Sequence, residues 1–146
     1  MKRPAEDEFR RWLTMARDEF GDADHLRRRG RFYIALFHFQ QAAEKALKAF
    51  LYLKAGSAEV FYTHSIEELL EMAVELDPAF RRVAGAKRLD RYYIPTRYPN
   101  GLPGGIPSRH FDDPAEAEDA MRLARAVIEL VRKKAPRRGR RLRSSG

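Results

Sequence analysis

FYIALFHFQQAAEKALKAFLYLKA, residues Phe32–Ala55, is the stretch that decides the fold. It holds neither proline nor glycine, and its alanines, leucines and lysines all favour helix. Its apolar residues cover nearly the whole circumference, which marks the central helix of a bundle rather than an amphipathic helix lying on a surface. At 100° per residue, one polar stripe remains: His38, Gln41, Lys45, Lys48 and Tyr52 fall within roughly 80° of one another. On a helix otherwise buried, such a stripe faces solvent, a second subunit or a ligand. Glu44 stands four residues before Lys48, a spacing that pairs the two and fits a solvated face.

Working outward, residues 4–29 place Phe9, Trp12, Leu13, Ala16, Phe20, Ala23 and Leu26 at helical spacing, with Gly21 as an interruption and Gly30 as the closing cap. Beyond Gly56, Ser65 and Glu68 form a capping box for SIEELLEMAVEL. Asp77-Pro78 then opens a fourth helix reaching about Tyr93. Residues 94–112, IPTRYPNGLPGGIPSRHFD, hold four prolines and three glycines and are expected to be loop throughout. Asp113-Pro114 repeats the cap, and a fifth helix with Leu123, Val127, Leu130 and Val131 on its apolar side runs to about Lys134. The class is all-α: an up-and-down bundle of about five helices with one long Pro/Gly-rich loop before the last. Residues 1–134 make one domain, and 135–146 a basic tail expected to be disordered.

Composition narrows the function. A chain of 146 residues builds one core. With no cysteine there is no disulfide, thiolate metal site or cysteine nucleophile. Four histidines without HxxxH-type spacing give no expected metal site, and no cofactor is expected. No apolar run approaches the roughly 18 residues of a membrane span, and the first residues lack a signal-peptide core, so the expected address is cytoplasmic. The net charge is +8, but Arg137, Arg138, Arg140, Arg141 and Arg143 supply five of it, leaving +3 on the body. Strong basicity therefore belongs to the tail, which either stays solvated or adds non-specific attraction to nucleic-acid phosphate.

A loop of about 19 residues in a small domain is usually either functional or disordered. This one carries Ile94, Tyr98, Leu102, Ile106 and Phe111, which argue for order. It and its approach also concentrate Arg91, Tyr93, Arg97, Tyr98, Arg109 and His110. Arginine offers a planar fork to phosphate oxygens and tyrosine a face for a base to stack on. With Gln41, Lys45 and Lys48 from the central helix and His64 before the third, these residues make the expected nucleotide or phosphate site. The plainer alternative is that the tyrosines only pack the loop and Arg97 pairs with Glu44 or Asp90.

Three blocks in order carry a family resemblance: FHFQQAAEKALKAFLYLKAG at 37–56, THSIEELL at 63–70 and LDRYYIPTRYPNGLPGG at 89–105. Together they resemble the HEPN family (higher eukaryotes and prokaryotes nucleotide-binding) over about residues 8–134. The resemblance implies a helical bundle that pairs as a homodimer. It further implies either a nucleotide-binding protein that partners a minimal nucleotidyltransferase, in a toxin–antitoxin-like pair, or a metal-independent endoribonuclease toxin. The ribonucleases of the family place an arginine and a histidine with four to six residues between them. Here Arg31 and His38 match that spacing, but in the wrong part of the fold and in a chain rich enough in arginine for chance to supply the match. After Arg97 the next histidine is His110, too far along. If RNA is cleaved, Arg97, His110 and His38 are the candidates, with His64 behind them. A third reading is a protein-interaction module with no small-molecule site.

Overall fold

The computed structural model describes residues 2–56 and 62–137, apart from the side chains of residues 2 and 3. The expected tail falls outside the described residues from 138 on, as do 57–61 of the connection after Gly56. The helices are α1 (Lys2–Arg28), α2 (Phe32–Ala55), α3 (Ile66–Leu76), a 3₁₀ segment at Pro78–Tyr92, a 3₁₀ turn at Pro99–Gly101, α4 (Pro107–His110) and α5 (Pro114–Lys133). Among the described residues there is no strand. The all-α bundle with α2 at its centre is as the sequence requires.

α1 and α2 form a tight hairpin, and α5 packs on α2 and α1. Phe39, Phe50, Leu36, Leu47 and Leu51 of α2 are all buried to 1% or less. Side chains of this kind each contribute roughly 1.5–3 kcal/mol when fully removed from water. Gly30 turns the hairpin with φ +78°, and its N–H bonds to the Arg27 carbonyl. Gly56 closes α2 in the left-handed region at φ +64°. Gly21 does not interrupt α1: helix continues through it, and nothing lies within 4 Å of where a Cβ would stand.

Two expectations require correction. The fourth helix is not α-helical; 78–92 winds as 3₁₀, broken by non-helical angles at Val83 (φ −112°, ψ 20°). Its buried residues are Phe80, Val83, Ala86, Leu89 and Tyr92, one in every three. A 3₁₀ helix has three residues per turn, so this spacing keeps all five on one face, whereas α-helical winding would spiral them away from the core. The loop at 94–112 is also not wholly irregular, because prolines at 99 and 107 each open a short helical turn. Proline lacks an N–H, but the first residue of a helix needs none, and its fixed φ is already helical.

The expected caps form at three helix starts. Ser65 Oγ accepts from the Glu68 N–H at 3.2 Å, Asp77 from Ala79 at 3.0 Å, and Asp113 from Ala115 at 2.9 Å. At α3 the second arm of the capping box is supplied differently: the Ser65 N–H donates to Thr63 Oγ1. A further acid arrives from outside the element. Asp90 accepts from the N–H groups of Ile66 and Glu67 at 2.7 and 3.0 Å and from Ser65 Oγ at 3.2 Å. The end of the 3₁₀ segment is thereby tied to the start of α3.

Candidate functional site

The polar stripe of α2 divides into two groups, neither of them a simple solvated face. Toward α1, His38 Nδ1 and Lys45 Nζ both bond Glu19, at 2.7 and 2.6 Å. Burial alone would raise the Glu19 carboxyl, but the bonds from His38 and Lys45 outweigh it and hold the group below the usual carboxylate range. On the other side, Gln40, Glu44 and Lys48 are buried. Lys48 Nζ donates to Glu44 Oε2 at 2.8 Å, and Gln41 Nε2 bridges Gln40 Oε1 at 2.7 Å and Glu44 Oε1 at 3.2 Å. Gln40 Nε2 then donates to the His64 carbonyl at 3.1 Å.

His64 closes this network. Its Nδ1 lies 3.0 Å from Glu44 Oε2, and since a carboxylate only accepts, Nδ1 carries the proton and Nε2 is left for the outside. The side chain is 52% exposed, against 5% for Glu44. The imidazole stacks on the Tyr93 ring with centroids 5.2 Å apart and planes 18° from parallel. A shallow cleft of about 380 Å³ opens there, lined by Tyr62, Thr63, His64, Ser65, Glu68, Asp90 and Tyr93.

Arg97 reaches the same tyrosine. In the turn after the 3₁₀ segment, the Ile94 carbonyl accepts from the N–H groups of Arg97 and Tyr98, and Arg97 Nε donates to the Tyr93 carbonyl at 2.7 Å. The guanidinium carbon lies 4.5 Å from the Phe37 ring, 4.6 Å from Tyr93 and 5.1 Å from Tyr98. Three rings thus hold the cation by their negative faces. Among the described residues no carboxylate is within ion-pair distance of it: Glu44 is engaged with Lys48 and His64, and Asp90 with α3. The plainer alternative read from the sequence, an Arg97 ion pair with either acid, is not what the structure shows.

The expected site residues therefore separate. Arg97, Tyr98, Tyr93 and His64 come together. Lys45 and Lys48 are committed to carboxylates, and Gln41 to the network between them. His38 sits edge-on to Phe37 at 5.1 Å but is bonded to Glu19. His110 packs edge-on to Phe111 at 4.8 Å, on α4, which also carries the exposed Arg109. Arg91 is exposed on the 3₁₀ segment. Phe37 and Glu44 were missed as site residues: both lie on a helix so apolar that one more aromatic or one i,i+4 acid carries no signal. No group of three metal-ligating side chains occurs among the described residues, and no helix there is long and apolar enough to cross a membrane.

The model of the HEPN domain family matches residues 9–134. The chain belongs to the HEPN family. Of solved structures, TT1696 from Thermus thermophilus superposes with a TM-score of 0.74 at 35% identity, covering 86% of this chain and 97% of its own. The archaeal HEPN homologue ST0689 superposes at 0.70 with 25% identity, covering 88% and 98%. No curated protein matches. In this HEPN chain the third resembling block of sequence, 89–105, is the one that holds both Tyr93 and Arg97, and the first supplies Phe37.

Proposed function

We propose that this HEPN protein binds the phosphate of a nucleotide or of single-stranded nucleic acid, with Arg97 as the principal contact. The observation that carries the reading is the Arg97 guanidinium itself: exposed, oriented by its Nε bond to the Tyr93 carbonyl, backed by three rings and matched by no acid among the described residues. Its terminal nitrogens offer a phosphate two parallel hydrogen bonds. Tyr98, 49% exposed, gives a base a face to stack on, and His64 offers Nε2 from across Tyr93. Lys45 and Lys48 support the site by holding Glu19 and Glu44 in place. An interaction module without a ligand would have all three cations, Lys45, Lys48 and Arg97, neutralised; Arg97 is not.

Calorimetric titration with ATP and with a short single-stranded RNA tests this on the wild type and Arg97→Ala. Micromolar binding that weakens at least tenfold in the variant, while its circular dichroism is unchanged, is the expected result. Equal affinity in both proteins moves the site elsewhere. The homodimer and the nucleotidyltransferase partner belong to the same proposal. The exposed Ile94 and Tyr98, in the same turn as Arg97, offer apolar surface for a second chain.

RNA cleavage is a second reading, favoured by one arrangement. A histidine oriented by a buried carboxylate, with its second nitrogen outward and an arginine sharing the same tyrosine, is suited to moving a proton beside a held phosphate. His64 then replaces His110 and His38 as the first candidate. Labelled single-stranded RNA left intact in EDTA, by a preparation that binds it, would rule the reading out.

A further inference from the structure

α3 presents a rim of three glutamates, with the single cation Lys87 lining the same groove. Glu67, Glu71 and Glu75 repeat every four residues along it, and none takes part in an ion pair among the described residues. Between that rim and the 3₁₀ segment runs a groove of about 420 Å³, floored by Leu70, Val74 and Ala84 and ending at Lys87. The exit point of the C-terminal chain is fixed beside it. Lys134, at the end of α5, bonds Asp77 at 2.8 Å, and Asp77 is the residue that ends α3, two beyond Glu75.

Nine residues follow Arg137, with the sequence RGRRLRSSG. We propose that residues 138–146 dock back into this groove of the same molecule, with Arg141 and Arg143 on the glutamates and Leu142 on the apolar floor. Reach is ample: nine extended residues span roughly 30 Å, whereas Glu67 and Glu75 are about 12 Å apart along the helix axis. Spacing agrees as well. Residues i and i+2 of an extended chain lie about 6.6 Å apart on one side, close to the ~6 Å axial repeat of an i,i+4 helical stripe. Arg141 and Arg143 have this i,i+2 relation and face the side opposite Leu142, whereas Arg138 and Arg140 share the leucine's side. Leu142 is the one apolar side chain in the stretch, and the groove is acidic with an apolar floor. Arg141 and Arg143, two of the arginines that give the chain its basic character, would then be held against the body rather than offered to phosphate.

The absence of cysteine permits a clean test on the full chain. A nitroxide placed through Ser144→Cys should broaden the amide resonances of Leu70, Val74 and Ala84 at 20 mM salt. At 1 M salt, where the screening length is about 3 Å, the broadening should fall several-fold. Combined Glu67→Gln, Glu71→Gln and Glu75→Gln should abolish it with the fold retained, and should that variant misfold the salt series alone decides. Broadening elsewhere, spread evenly, or independent of salt overturns the proposal. So does broadening that arises only between labelled and unlabelled copies in a mixed sample, which would make the contact intermolecular.

Discussion

At the scale of single residues, the Glu44–Lys48 pair is the most demanding feature of the core, since both side chains are at most 5% exposed. Removing one partner leaves the other charge buried, which typically costs about 3–5 kcal/mol, whereas replacing both with apolar groups is often close to neutral. Glu44→Ala should therefore lower the urea midpoint sharply, and Glu44→Met with Lys48→Met should restore most of it. A double variant as unstable as the single one would show that the links to His64 and Gln41 matter more than the pair. Arg97 makes the opposite case. It is exposed, so Arg97→Ala should be nearly silent in stability and tell only in binding. Arg97→Lys keeps the charge but not the planar fork and should bind with intermediate affinity, read in the same titration.

At the scale of elements, the closest join is between α3 and the 3₁₀ segment. α3 has its own cap in Ser65, yet Asp90 takes two more of its free N–H groups. Asp90→Ala should cost about 1–2 kcal/mol and should speed amide exchange at Ile66 and Glu67 ahead of the rest of α3. Uniform acceleration would instead mean global loosening. Much at this scale was legible in the sequence. α2 was matched at both ends because Phe32–Ala55 is uninterrupted and Gly56 supplies the left-handed cap. Asp77-Pro78 and Asp113-Pro114 each marked a true start. The 3₁₀ winding was equally written, in Phe80, Val83, Ala86, Leu89 and Tyr92, but a spacing of three is half of the α-helical pattern and reads as such until burial shows no residue at i+4. The grouping of Tyr93, Arg97 and Phe37 was not legible in full, because Phe37 joins from 56 residues earlier, through tertiary packing alone.

At the scale of the whole molecule, α1 is joined to the central helix through one carboxylate, Glu19, which receives both His38 and Lys45. With its folded pKa below the ordinary 4.5, Glu19 contributes stability that is fully present above that value and is lost as pH falls through the lower, folded one. The wild type should lose stability in acid below about pH 4.5. Glu19→Gln should be less stable at neutral pH and show a shallower slope across the acid window, as followed by thermal melts at stepped pH. An identical slope would place the acid sensitivity in other groups, of which Asp24, held low against its own burial by Arg27 and Arg28, is the next candidate. The 3₁₀ winding also sets a length for the molecule. Past the break at Val83, the nine residues 84–92, rising about 2.0 Å each, form a strut of about 18 Å, where an α-helix of the same residues would measure about 14 Å. Loss of one residue would shorten the strut by about 2 Å and rotate everything after it by about 120°, carrying Asp90 off α3 and Arg97 away from Phe37. Loss of three would keep the rotation but leave the arginine about 6 Å short. Between residues 84 and 92 the chain should thus accept changes of side chain on its outer face far more readily than any change of length.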